Sequence, residues 1–498
     1  MTGQALSNCP ARELVEVGEE HMVAMRAIHD WMGDPGVHVT WNPSQATLAK
    51  VREAPVSTVP VSYQQAQHLR AFRDHTARGT DMARLNIPAW DIAGQCDIRA
   101  MTHVINAYLR RHDTYHSWFE YDDAQRIVRR TIREPRHIKF VPTEHGQMTP
   151  TQWRERVLAT PDPWQWACFH FGIIQRADHF TFYISVDHVH TDAMFMGLVL
   201  VEIHMMYAAL VAGAAPIPLP AAGSYDDYCL RQQAYLSALT VKSPEVLAWI
   251  DFAKSNDGTL PCFPLPLGDP SVPCTGDMIT VQLLDEQQAI RFESACMDVG
   301  ARFSGGVFAC AALAEHELTG AETHYVVTPT TTRSTPAELM TTGWFTGLVP
   351  ITVPVVATSF GHTARAAQAS FDAGIGVAKV PFDRVLELAA SEHELRTPQP
   401  GVPMLSYLDA GLPPLSPTII AEWEGLNGKV YHDARSAHQV GMWVNRTQKE
   451  TTVTVAFPNN PIARESVLGY VAAMKSVYGR VIEGVGEPRQ TSISLVST

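Results

Sequence analysis

HFTFYISVDHVHTDAMFMG, His179 to Gly197, decides the fold. In its first half Phe180, Phe182, Ile184 and Val186 share one face by the two-residue period of a strand. Its second half passes into an apolar run, MFMGLVLVEIHMMYAALVAG, with the length and spacing of a core helix. A strand that turns a corner into a helix is the unit from which α/β layers are built. The corner itself packs two histidines and two aspartates into the six positions from Asp187 to Asp192.

Those residue types admit three chemistries. His188 falls on the apolar face of the strand, and Asp192 stands where a helix begins and where its side chain would cap free N–H groups. In the plainest case the histidines are satisfied polar groups of a turn and Asp192 is only that cap. In the second, H188-V-H190-T-D192 approaches the HxHxDH loop of metallo-β-lactamase-like zinc hydrolases. Ala193 stands where the last histidine would be, and a metal site needs its full ligand set. In the third, His188 is a general base, kept neutral near pH 7 by the helix N-terminus, and Asp192 helps position it. A His and an Asp four apart do not choose among these.

The whole chain narrows the field. With 498 residues it is long enough for two or three domains, and 46% hydrophobic with 18% charged residues describes an ordinary folded protein. A formal charge of −13 offers no basic face for nucleic acid. The eight cysteines include no CxxC pair and several lie in apolar settings, as in WACFHFG and GVFACAAL, which suits buried thiols in a reducing compartment. No signal-peptide pattern opens the chain, and Glu202 and His204 mark the apolar run as a core helix and not a membrane span. A cytoplasmic protein is the expectation.

The organisation reads as two α/β halves. Residues 1–35, with EEHMVAMRAIHDWMGDPG, predict a short amphipathic helix in an N-terminal extension outside the core. Residues 36–215 form the first half, with LNIPAWDI, HSWFEYDD, RIVRRTI, IKFVPT and HFTFYISVDH as strands. Residues 216–270 are a Pro-rich, helical connection, and 271–498 the second half, with MITVQLL, HYVVTPT, ITVPV and TTVTVAF as strands.

Several segments, in order, resemble one superfamily. DHVHTDA resembles the HHxxxDG signature of condensation domains and chloramphenicol-acetyltransferase-like enzymes, with Asp187 in place of its first His and Ala193 in place of its Gly. VSYQQAQHLR resembles the early S-x-x-Q motif, LRRHDTYHSWFE the RHxxLRTxF stretch and TTTRS the SGR motif. TGWFTGLVPITV resembles the GxFxNxxPxRV latch, with Gly347 at its Asn, and VPFDRVLE resembles PFExLVE. The chain is further similar, from about residue 30 to 480, to the mycobacterial polyketide-synthase-associated acyltransferases, in the branch that acylates trehalose or sulfated trehalose. The plant-type DFGWG motif is absent.

The resemblance implies two chloramphenicol-acetyltransferase-like subdomains, mixed sheets flanked by helices, with a tunnel at their interface. It implies transfer of a long-chain acyl group from acyl-CoA, or from a polyketide synthase carrier, to a hydroxyl of trehalose or a derivative. Acyl-CoA is then a co-substrate, with no cofactor and no metal. His188 is the expected base; Asp192 turns away from substrate to pair with Arg333 across the two halves. Asp187, His190, Trp344 and Gly347 are candidate substrate-binding or tunnel-lining positions. The branch also implies a polyketide synthase and a membrane lipid transporter as partners, and a monomer at the inner face of the plasma membrane. Three alternatives share parts of the pattern: a free-standing amide-forming condensation enzyme, a zinc hydrolase using the HxHxD loop, and a non-catalytic lipid-binding relic of the fold.

Overall fold

The structure, a computed structural model, describes residues 25–398, 403–411, 416–435 and 437–484. Its strands are β1 (Met25–Ala27), β2 (Gly36–Pro43), β3 (Leu85–Ala93), β4 (Ser117–Tyr121), β5 (Ile127–Thr131), β6 (Phe140–Met148), β7 (Phe169–Gln175) and β8 (His179–Asp187). There follow β9 (Gly276–Asp285), β10 (Thr323–Thr331), β11 (Thr346–Pro354), β12 (Met404–Asp409), β13 (Lys429–His432), β14 (Gly441–Arg446) and β15 (Glu450–Pro458). One mixed sheet runs β1-β13-β3-β8-β7-β2-β6, the other β11-β10-β12-β14-β15-β9, and β4 and β5 form a separate hairpin pair. Both sheets are flanked by helices.

β8 shows why the sequence settles here. Phe180, Phe182, Ile184 and Val186 enter one core cluster with Met101, Ile105 and Leu109 of the helix Ile98–Arg111. The opposite face is buried too: Tyr183 packs with Trp31, Trp153 and Tyr431. A strand covered on both faces needs no polar alternation, so the aromatic and β-branched content sets the element more than the pattern does. In the second half the helix Phe303–Thr319 is apolar almost all round and buried among the helices Glu286–Asp298, Phe360–Gly374 and Pro461–Ile482. The helices Tyr225–Ser237 and Pro244–Lys254, within the Pro-rich connection, pack Leu236, Trp249 and Phe252 against Val327, Val380 and Phe382.

Two expectations about the chain's organisation are corrected. The helix expected to end at GDPG falls partly outside the described residues, and from residue 25 onward it is the strand β1 followed by one 3-10 turn, Ile28–Asp30. This segment belongs to the core: Trp31 is 4% exposed and stacks on Tyr431 at 4.8 Å. Nor does residue 271 divide the halves cleanly. β13 leaves the second half to pair antiparallel with β3 and parallel with β1, and Trp423, on the helix Pro417–Gly425 just before it, packs into the first core. Edge closure is the physical reason, since β13 covers β3 where the first sheet would otherwise end in unpaired backbone.

The apolar run after the corner is helical from Phe195 to Val211, but Leu200–Met205 is wound as a π-helix. That places Glu202 and His204 inward, both nearly fully buried. Among the described residues no single helix is long and apolar enough to cross a membrane. The described cysteines are free thiols; Cys168, Cys229, Cys296 and Cys310 are buried.

Candidate active site

β8 ends at Asp187, and the backbone turns at once into a 3-10 turn, His188–His190. The turn takes His188 off the strand's apolar face. Its residue is partly exposed while Val186, two positions earlier, is fully buried. The His188 ring lies beneath Trp344, with ring centroids 4.3 Å apart, and beside His68, at 6.4 Å. Trp344 comes from the loop that precedes β11, so the pair joins the two halves.

Burial, followed by the neighbouring His68, pushes the His188 imidazolium below the ordinary imidazole range. The ring is therefore neutral near pH 7. Its Nδ1 is sealed from solvent and has no hydrogen-bond partner. Nε2 is the ring nitrogen that is not sealed in this way. A neutral imidazole with a free Nε2 at a partly open position is what proton abstraction from a hydroxyl needs.

Asp192 directs its carboxylate to partners other than this ring. Arg333 grips it with two hydrogen bonds, Nη1 to Oδ2 at 2.6 Å and Nη2 to Oδ1 at 3.1 Å. The backbone N–H groups of Phe345 and Met194 complete its shell at 2.9 and 3.0 Å. Arg333 is itself fixed by the carbonyls of Glu338 and Thr341 and lies 4.3 Å over the Phe345 ring. Asp192 does accept a hydrogen bond from the start of the following helix, but its main partner is in the other half.

Three candidate lining residues are packed away instead. Asp187 is fully buried, with both oxygens occupied. His190 is fully buried against Tyr115 and Phe169, its Nδ1 bonded to Thr114 at 2.9 Å, and burial pushes it down to about 3. Gly347 pairs with Thr330 in the sheet, and a Cβ there would lie 2.0 Å from the carbonyl oxygen of Ala378. It is a close-packing glycine, and a larger residue does not fit. Only Trp344 keeps a face beside His188. The HxHxD spacing also fails to gather ligands: His190 turns into the core, Asp192 is held by Arg333, and no group of three or more His, Cys, Asp and Glu clusters for a metal ion among the described residues.

Other residues of the site were not singled out by the sequence reading. Ser62 and Gln65 of the S-x-x-Q motif form a reciprocal cap on the helix Tyr63–Ala77, and Gln65 Nε2 reaches the carbonyl of Val189 at 3.1 Å. That cap orients His68 toward Asp187. In the RHxxLRTxF-like stretch, His112 Nε2–H donates to Glu202 at 2.9 Å and its Nδ1 accepts the Thr342 N–H at 3.2 Å. The π-helix thus presents Glu202 to a histidine that pins the loop carrying Trp344. A groove of about 580 Å³ runs along the outer face of the helix Tyr63–Ala77, beside Tyr63, Arg70 and Arg73. A second, of about 560 Å³, lies around Phe263, Leu265 and Leu267. Neither is lined by His188.

Residues 86–404 match the condensation domain family. The chain belongs to that family. Within it the chain is 59% identical to trehalose-2-sulfate acyltransferase PapA2 of Mycobacterium tuberculosis, over 93% of this chain and 98% of that one. It is 54% identical to 2'-acyl-2-O-sulfo-trehalose (hydroxy)phthioceranyltransferase PapA1 of the same species, over 93% and 89%. A solved PapA2 acyl transferase structure superimposes with a TM-score of 0.90 at 59% identity, over 93% of this chain and all of that one. The condensation domain of the monacolin K polyketide synthase MokA shares the fold at a TM-score of 0.65 and 16% identity, over 86% of this chain and 99% of that one. This condensation-family member is thus an acyltransferase by its relatives, and its two-sheet architecture is the one expected from its motifs.

Proposed function

We propose that the protein transfers a long acyl chain from a thioester to a hydroxyl of trehalose or a sulfated trehalose in mycobacterial glycolipid synthesis. One observation carries the chemistry: His188, its ring pushed toward the neutral form by burial, stands against Trp344 at the joint between the halves, with Nδ1 sealed and Nε2 the nitrogen left to meet a substrate. The identity to trehalose-2-sulfate acyltransferase PapA2 over nearly the full chain supports the substrate class.

The hydroxyl binds with its proton toward Nε2. As its oxygen forms a bond to the thioester carbonyl carbon, Nε2 takes that proton, which contributes roughly 10²–10⁴-fold in rate. The tetrahedral intermediate collapses with cleavage of the C–S bond, and the imidazolium returns the proton to the leaving thiolate. No acyl group is carried on the protein. Acyl-CoA is the donor in this reading, with a carrier-bound thioester chemically equivalent at the reacting carbon.

Incubation of the purified protein with palmitoyl-CoA and either trehalose or trehalose-2-sulfate, with products identified by mass spectrometry, tests the proposal. A palmitoylated disaccharide and stoichiometric free CoA are expected. CoA release without a sugar ester, or transfer only to an amine, would overturn it.

A further inference from the structure

The carboxylate of Asp187 brackets the base. Its Oδ1 accepts the Val189 N–H at 3.0 Å, one residue beyond His188, and the His68 Nε2–H at 2.7 Å. Its Oδ2 accepts Arg84 Nη1 at 2.8 Å. Arg84 acts twice more: its carbonyl receives the His188 N–H at 2.8 Å, and its guanidinium holds the carbonyls of Thr160 and Pro161. The backbone on both sides of His188 is therefore fixed by one buried cluster, and His68 and Asp187 are each at most 6% exposed. Asp433, entering just after β13, clamps the Arg84 N–H with both oxygens at 3.2 Å.

Together these groups determine where the His188 turn stands. Burial opposes ionisation of Asp187, but His68, Arg84 and the Val189 N–H outweigh it and hold the carboxyl down to about 2, so Oδ1 and Oδ2 are acceptors throughout the working range. A buried acceptor that loses its donor keeps the desolvation penalty and moves to find another. For Asp187 such movement carries Val189, and with it the turn that holds His188.

We propose that His68, Asp187 and Arg84 form a positioning cluster for the base, in which His68 supplies the donor that keeps the His188 turn in its productive place. This rests on His188 acting as the base. His68 is the residue to vary, because its inner-face position leaves the capping pair Ser62 and Gln65 untouched. Gln places an amide N–H where the His Nε2–H stands, Asn is too short to do so, and Leu fills the volume with no donor.

The experiment measures kcat and KM for palmitoyl-CoA and the sugar in H68Q, H68N, H68L and H188A, with thermal unfolding of each. The expected result is a kcat loss of about 10- to 100-fold in H68L and H68N, the scale of a misplaced reacting group. Both KM values should stay within about threefold, and H68Q should recover to within about fivefold of wild type. Wild-type kcat in folded H68L, equal losses in H68Q and H68L, or a loss confined to KM would overturn the cluster's role. If H68L does not fold, the contrast between H68Q and H68N decides in the same way. An active H188A would instead remove the base assignment itself, so the two failures are told apart.

Discussion

Asp187 and Asp192 stand on either side of the same histidine, and each is a buried carboxylate that holds an arginine. Their anchors differ in origin. Asp187 is bound by His68 and Arg84 of the first half, and Asp192 by Arg333 and the Phe345 N–H of the second. The first anchor is built from side chains of the first half, with the Arg84 backbone held in turn by Asp433 from beyond β13. The second exists only when the halves have met. His188 stands between the two anchors, and the contact that holds Asp192 also brings Trp344 over the His188 ring.

The contrast predicts separable effects. Asp192→Ala should be the most damaging to the fold: it strands the buried Arg333, and breaking a buried pair costs about 3–5 kcal/mol. Urea unfolding measures that loss, and a change under about 1 kcal/mol would make Asp192 dispensable to the joint. Gly347→Asn should come next. Its Cβ would overlap the Ala378 carbonyl, and overpacking typically costs about 1–3 kcal/mol, read as a lowered thermal midpoint. The smallest effect is on pH dependence. With His188 pushed down by burial and His68, the acid limb of kcat/KM should lie below about 6.5, the ordinary imidazole value. The negative charges of Asp187 and Asp192 raise the His188 pKa. Asp187→Asn should therefore move the limb lower still, by less than about one unit. A limb moving to higher pH contradicts that sign.

Much of this was readable in the sequence because it is local. β8 carries its aromatic and β-branched residues in one run, and the Asp187–Asp192 corner follows directly. Residues 25–35 were misread because MVAMRAIHDWM has helical spacing, while the outcome was decided by pairing with β13, some 400 positions on. β13 itself is only four residues long and has no periodicity to detect. His68 and Arg84 lay outside the signature, on a helix and just before β3, and only topology brings them to Asp187. A trace was present: Gln65 and His68 fall on the face that the helix buries with Leu69, where polar side chains need partners. Gly347 left a trace too, as a glycine at the latch position where the family has an asparagine.

The most direct measurement is single-turnover acyl transfer by His188→Ala beside wild type, with the two proteins shown by circular dichroism and thermal unfolding to be equally folded. Proton abstraction by His188 predicts a rate lower by roughly 10²–10⁴-fold, with no acyl adduct on either protein by intact mass. A folded variant that transfers the acyl chain within about tenfold of wild type would contradict it.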